Sequence, residues 1–198
     1  MARTIAKDHD QKRAHILKTA ARVFAEEGFD RASVSLLARE CGISKANIYH
    51  YYGSKDALLF DLLDTNLSEL LARMERVSVE GLSPEEAFEK TLVEILLAYE
   101  GQDYEHQVQS ASMSHLPIQQ QDVLKGYQKK MVQRVNDLLL AVRPECFRDD
   151  AVKLLDTTMS IFGMLNWFYM WNAKAGPEKR RDYAKMVANL TLNGVSGI

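Results

Sequence analysis

The stretch from Cys41 to Leu59, CGISKANIYHYYGSKDALL, constrains this chain more than any other. It reads as the end of one helix, a tight turn, a short second helix and the start of a third. Gly42 can take the left-handed backbone conformation that closes a helix, which residues with a side chain adopt only at a cost. Ser44 is placed to cap the next helix by accepting a bond from a backbone N–H two or three residues on. With Ser44 at the cap, Ile43 and Ile48 fall at the positions of a hydrophobic staple, which sets the entry angle of the chain. Two helices joined by a tight glycine-containing turn make a helix-turn-helix, a unit that lays its second helix in the major groove of duplex DNA.

The residues upstream complete the unit. Val34, Leu37, Ala38 and Cys41 recur at helical spacing, with Ser33 placed as their cap and Ser35, Arg39 and Glu40 left outward. Before them, Ile16, Leu17, Ala20, Val23 and Phe24 form one apolar face of a longer helix that Gly28 stops. The predicted helices lie near 11–27, 33–40 and 44–51. Residues Gln11 to Leu63, through AARVFAEEGFDRASVSLLARECGISKANIYHYYGSKDALL, resemble the N-terminal domain of the TetR family of bacterial regulators in unbroken order. The remaining two thirds resemble that family only in being helical and of suitable length.

Within the short helix, Lys45, Asn47 and His50 can present donors to groove edges, and an asparagine amide can bond adenine in a bidentate way. By resemblance, Tyr49 stands at the tyrosine that touches backbone phosphate and Lys55 at a phosphate-binding lysine. Tyr51 stands where many relatives carry histidine. Ser33 and Ser35 lie where the family touches phosphate, and Ser33 is equally suited to act only as a cap. The expected DNA-facing set is therefore Ser33, Ser35, Ser44, Lys45, Ala46, Asn47, Tyr49, His50, Tyr51 and Lys55. The segment Arg3 to Arg13, with Arg3, Lys7, Lys12 and Arg13, reads either as a basic arm or as a solvated tail.

Charge is distributed in the same sense. Residues 1–55 hold ten Lys or Arg against six Asp or Glu, or +4; the rest holds fifteen against twenty-one, or −6, and the two return the net −2. DNA attracts the first part and repels the second. With no run of eighteen apolar residues, and an N-terminus lacking a signal-peptide core, the sequence predicts a cytoplasmic protein without a membrane partner. Cys41 and Cys146 have no metal-like spacing and read as reduced structural thiols.

The periodicity predicts an all-α chain: a three-helix domain over 1–55 and a larger helical ligand-binding and dimerisation domain over 56–198. Helices are expected over about 55–74, 84–99, 104–115, 118–142, 148–174 and 178–193. The later part contains no paired carboxylates, Ser-His pair or metal cluster, which points away from an enzyme and from any cofactor. By resemblance, His106, Gln109, Ser110 and Met113 lie on a helix that commonly walls a pocket. The aromatic run FGMLNWFYMWNAKAG, residues 162–176, is open to three readings: core, dimer interface or pocket wall. The spacing puts Met164, Trp167, Phe168 and Trp171 on one helical face. Trp167 and Trp171 are candidates for the pocket, and Met164, Phe168, Tyr183, Val187 and Leu190 for the dimer. The pattern Asn166-Trp167 with Trp171 and Gly176 resembles family members that bind acyl-coenzyme A thioesters.

The resemblance implies a homodimeric repressor on a near-palindromic operator, released by a small apolar effector. An activator, or a regulator answering to a protein partner, satisfies the same residues. A helical carrier or enzyme with a vestigial helix-turn-helix is the alternative from another class; the retained Lys45, Asn47, Tyr49 and Lys55 weigh against it.

Overall fold

A computed structural model describes residues 2–172 and 174–194, leaving aside the side chains of residues 2–8. Every regular element among these residues is helical. The elements are α1 (Ala2–Glu27), α2 (Val34–Glu40), α3 (Lys45–Tyr51), α4 (Lys55–Glu75), α5 (Pro84–Ala98), α6 (Asp103–Ser112), α7 (Ile118–Val142), α8 (Pro144–Phe147), α9 (Ala151–Trp167) and α10 (Pro177–Asn193). Single 3-10 turns follow α6 at Met113–His115 and α9 at Phe168–Met170. No helix among the described residues is long and apolar enough to cross a membrane.

Local chemistry explains the boundaries. Gly28 and Gly42 take φ of +81° and +66°, closing α1 and α2 where a side chain would be strained. Ser33 Oγ accepts from Leu36 N–H and Ser44 Oγ from Asn47 N–H, each at 3.1 Å. Ser54 Oγ accepts from Ala57 N–H at 3.0 Å in the first turn of α4. At α5 the cap is reciprocal: Glu86 N–H donates to Ser83 Oγ, and Ser83 N–H donates to the Glu86 carboxylate. That bond holds the Glu86 carboxyl below the usual carboxylate range.

Two boundaries differ from the periodicity. The first helix begins at Ala2 and not near residue 11. The helix expected over 148–174 is shorter at both ends: α8 stops ahead of it at Phe147, Asp150 caps α9 by accepting from Lys153 N–H at 2.8 Å, and α9 breaks off at Trp167. Tertiary packing causes the second break. Phe168 is drawn into the core, 1% exposed, with the Tyr183 ring 4.8 Å away and the Arg180 guanidinium 5.4 Å from its centre.

The chain packs as two units. The first joins residues 1–66 with 104–124, so α6 and the first turns of α7 belong with the N-terminal helices. Its core holds Ile16, Leu17, Ala20, Phe24, Leu37, Ile48, Leu58 and Leu62. The second joins residues 67–103 with 125–198. There α5 lies along α10, and buried Ala87 and Thr91 on one helix with Ala184 and Ala188 on the other permit close approach. The same unit ties α9 inward through Thr158 Oγ1 to Asn136 Oδ1 at 2.6 Å and Tyr99 OH to Asn166 Oδ1 at 2.8 Å.

Candidate nucleic-acid interface

Helix α3 fully buries one residue, Ile48, half-buries Tyr51 and turns the others outward. Ser44, Lys45, Ala46, Asn47, Tyr49 and His50 are all exposed. Ser44 Oγ accepts from the Asn47 backbone N–H, and Asn47 itself is exposed. The Lys45 ammonium stands 5.8 Å from the centre of the Tyr49 ring. Tyr51 is half-buried, stacked on His9 at 4.8 Å and edge-on to His50 at 5.7 Å. A groove of about 250 Å³ runs beside the helix, lined by Lys12, His15, Ile43, Asn47, His50 and Tyr51. The helix thus offers a capped, exposed row of amide, ammonium, imidazole and phenol groups, suited to base edges and phosphate oxygens.

At the start of α2, Ser33 is the cap and Ser35 is exposed. Accepting from Leu36 N–H leaves the Ser33 hydroxyl proton available to donate. Behind α2, Glu40 holds Arg22 at 2.9 Å and Arg39 at 3.4 Å. Arg22 holds the Glu40 carboxyl below its ordinary range, so much of the cationic charge here is neutralised within the surface. Cys41 is buried, and desolvation pushes its thiol up, away from the reactive thiolate.

Lys55 makes its contacts within the protein. Its ammonium donates to the carbonyls of Phe29 at 2.6 Å, Ala32 at 3.1 Å and Asp30 at 3.2 Å, and lies 4.4 Å over the Phe29 ring. Three acceptors match all three donors, so Lys55 clamps the loop that delivers α2. Arg13 is likewise no free arm: it forks onto Asp61 and Thr65 of α4. Arg3 and Lys7 lie outside the described side chains.

These placements separate two lysines by experiment. Lys55→Met should cost about 2 kcal/mol of stability, from three lost carbonyl bonds, and leave the slope of log affinity against log salt unchanged. Lys45→Ala should leave stability alone and lower that slope by about one. A denaturant titration paired with a salt series checks both.

The residues expected at a pocket fall in two groups. His106 is buried, Gln109 and Met113 are half-buried, and Ser110 is exposed with its hydroxyl donating to His106 C=O at 3.1 Å. These four belong to the first unit, whereas Trp167 and Trp171 belong to the second. Since α9 ends at Trp167, the face expected to join Met164, Trp167, Phe168 and Trp171 does not form. Trp167 and Trp171 are 58% and 56% exposed on the protomer. The expected dimer set also changes: Phe168 at 1% and Val187 at 0% exposure are core residues with nothing to present. Tyr183, half-buried, donates to Met164 C=O at 3.4 Å and so braces the end of α9 within the protomer. Met164 and Leu190 remain half-buried.

What the periodicity missed is a second apolar face on α9. Val152, Leu155, Met159 and Trp167 follow one another at helical spacing, all exposed, with Gly163 on the same line. Leu154, Ile161, Phe162 and Leu165 bury the other side. The signal was present in the composition of α9, which holds too many apolar residues for one face.

Residues 16–62 match the family model of the bacterial regulatory proteins of the tetR family, and residues 81–195 match the tetracyclin repressor-like C-terminal domain. The chain belongs to the TetR family. A TetR-family transcriptional regulator from Bordetella parapertussis is 31% identical, with a TM-score of 0.86 over 94% of this chain and 96% of that one. The uncharacterised helix-turn-helix regulator YuxN of Bacillus subtilis is 37% identical over 82 residues, 41% of this chain. This match spans less than a third, 28%, of YuxN's own length. AibR, solved with isovaleryl coenzyme A and operator DNA, shares the fold at 22% identity, with a TM-score of 0.73 over 91% of this chain and 98% of that one.

Proposed function

We propose that this TetR-family chain is a sequence-specific DNA-binding repressor that works in the cytoplasm as a homodimer. The observation that carries the reading is α3, capped by Ser44 and anchored by Ile48, with Lys45, Ala46, Asn47, Tyr49 and His50 exposed. In this reading residues 1–55 read DNA and residues 56–198 carry dimerisation and effector binding. Lys45, Ala46, Asn47 and His50 face the major groove, with Tyr49, Tyr51, Ser33, Ser35 and Ser44 toward its walls. The exposed stripe Val152, Leu155, Met159, Trp167 on α9 meets its copy about a two-fold axis, with Gly163 permitting close approach. Two copies of α3, about 34 Å apart, would then read successive grooves of a near-palindromic operator.

The effector of this reading is a small, largely apolar molecule bearing on α6 near His106, Gln109 and Met113. AibR, with its bound isovaleryl coenzyme A, supports an acyl thioester as the first class to try. A coupling of about 1–3 kcal/mol would change DNA affinity some 5- to 150-fold. Titrating short- and long-chain acyl-coenzyme A thioesters into a preformed operator complex tests this. Release by a thioester but not by free coenzyme A is expected; a complex indifferent to every thioester would remove that class.

A further inference from the structure

We propose that Tyr52, Asp61 and Arg13 form a positioning node that sets the pose of α3, and hence the sequence choice of the protein, without touching DNA. The proposal rests on the reading of α3 as the DNA-reading helix. A seven-residue helix is too short to hold itself in water, and Ile48 is the one fully buried side chain of α3. A short helix with one fully buried side chain can swing about it. Bidentate base contacts tolerate little swing, because their discrimination depends on two aligned hydrogen bonds at once.

Tyr52 supplies the second anchor. It is the residue just past α3, is 7% exposed, and closes the last turn by donating its N–H to Ile48 C=O at 2.9 Å. Its hydroxyl donates to Asp61 Oδ2 on α4 at 2.7 Å. The carboxylate is itself immobilised: Arg13 Nε, from α1, donates to the same oxygen at 2.9 Å. The Arg13 terminal amino group donates to Asp61 Oδ1 and, at 3.0 Å, to Thr65 Oγ1. A guanidinium fork fixes the plane of a carboxylate as well as its position. Burial and the neighbouring carboxylate push the Tyr52 hydroxyl well above its ordinary range, so it stays a donor. The end of α3 is therefore referred to α1 and α4 together.

Tyr52→Phe removes the hydroxyl and keeps the buried ring. The intact variant and the parent protein are compared on the operator selected by the parent and on a scrambled duplex, across a salt series. The node predicts operator affinity weaker by on the order of tenfold, with scrambled-duplex affinity and salt slope unchanged. An unchanged ratio of operator to scrambled affinity, measured below the melting temperature of both proteins, overturns it, even if the variant melts earlier. Amide hydrogen exchange over Lys45–Tyr51 gives a readout independent of DNA: the node predicts faster exchange in the variant, and equal exchange also overturns it. A parent protein that prefers no sequence defeats the DNA-reading assignment instead, and the exchange result still decides the node.

Discussion

Replacing Leu155 and Met159 together by glutamate is expected to yield a folded monomer that no longer binds operator. Both side chains are about half exposed on the protomer, at 46% and 52%, so the change costs an isolated protomer little. In the proposed dimer each new carboxylate would meet an apolar surface and sit near its own copy. Burying such charges unpaired costs several kcal/mol, so the dimer dissociation constant should rise by at least about a thousandfold. Sedimentation velocity gives the mass and circular dichroism the fold. A variant that remains dimeric would place the interface elsewhere; a monomer that still binds operator at full affinity would remove the dimer from the mechanism.

Arg180→Ala should strongly destabilise the second unit. Arg180 is 1% exposed, its Nε donates to Ala175 C=O at 3.0 Å, its terminal nitrogen reaches Asp103 at 3.5 Å, and its plane lies by the Phe168 ring. Removing it strands a carbonyl and a carboxylate and leaves a cavity under Phe168. The Asp103 pair is long and partly solvated, so its share is modest, and a total of about 3 kcal/mol is expected. For a chain of this size that lowers the melting temperature by roughly 6–12 °C. A fall of less than 2 °C would mean that the guanidinium contributes little to holding the turn after α9.

The parts of this fold legible in the sequence are those whose causes are local. Ser33, Ser44, Ser54 and Ser83 each stand a few residues from the N–H they cap, so α2 to α5 could be placed from the residues alone. The end of α9 could not, because Phe168 leaves the helix for partners on α10, whose Arg180 and Tyr183 are more than ten positions away. Burial of Phe168 and Val187, and exposure of Trp167 and Trp171, follow from that packing and not from the aromatic spacing. Lys55 shows a different limit. The resemblance gives it a phosphate role, yet its ammonium donates to three carbonyls brought near by the turn after Gly28. Arg13, 48 residues from Asp61, looks in sequence like one more charge in a basic segment.

The central claim is that α3 reads a specific sequence twice. Selection of bound duplexes from a random pool, run with the parent protein and with Asn47→Ala and no added ligand, tests it most directly. One inverted repeat, its half-sites separated by about one helical turn, should be enriched by the parent. The Asn47→Ala protein should lose preference at one position in each half-site, by about 1–3 kcal/mol, and keep the rest. A folded dimer that enriches no sequence at low salt, or an Asn47→Ala protein that enriches the identical repeat as strongly, would contradict the account.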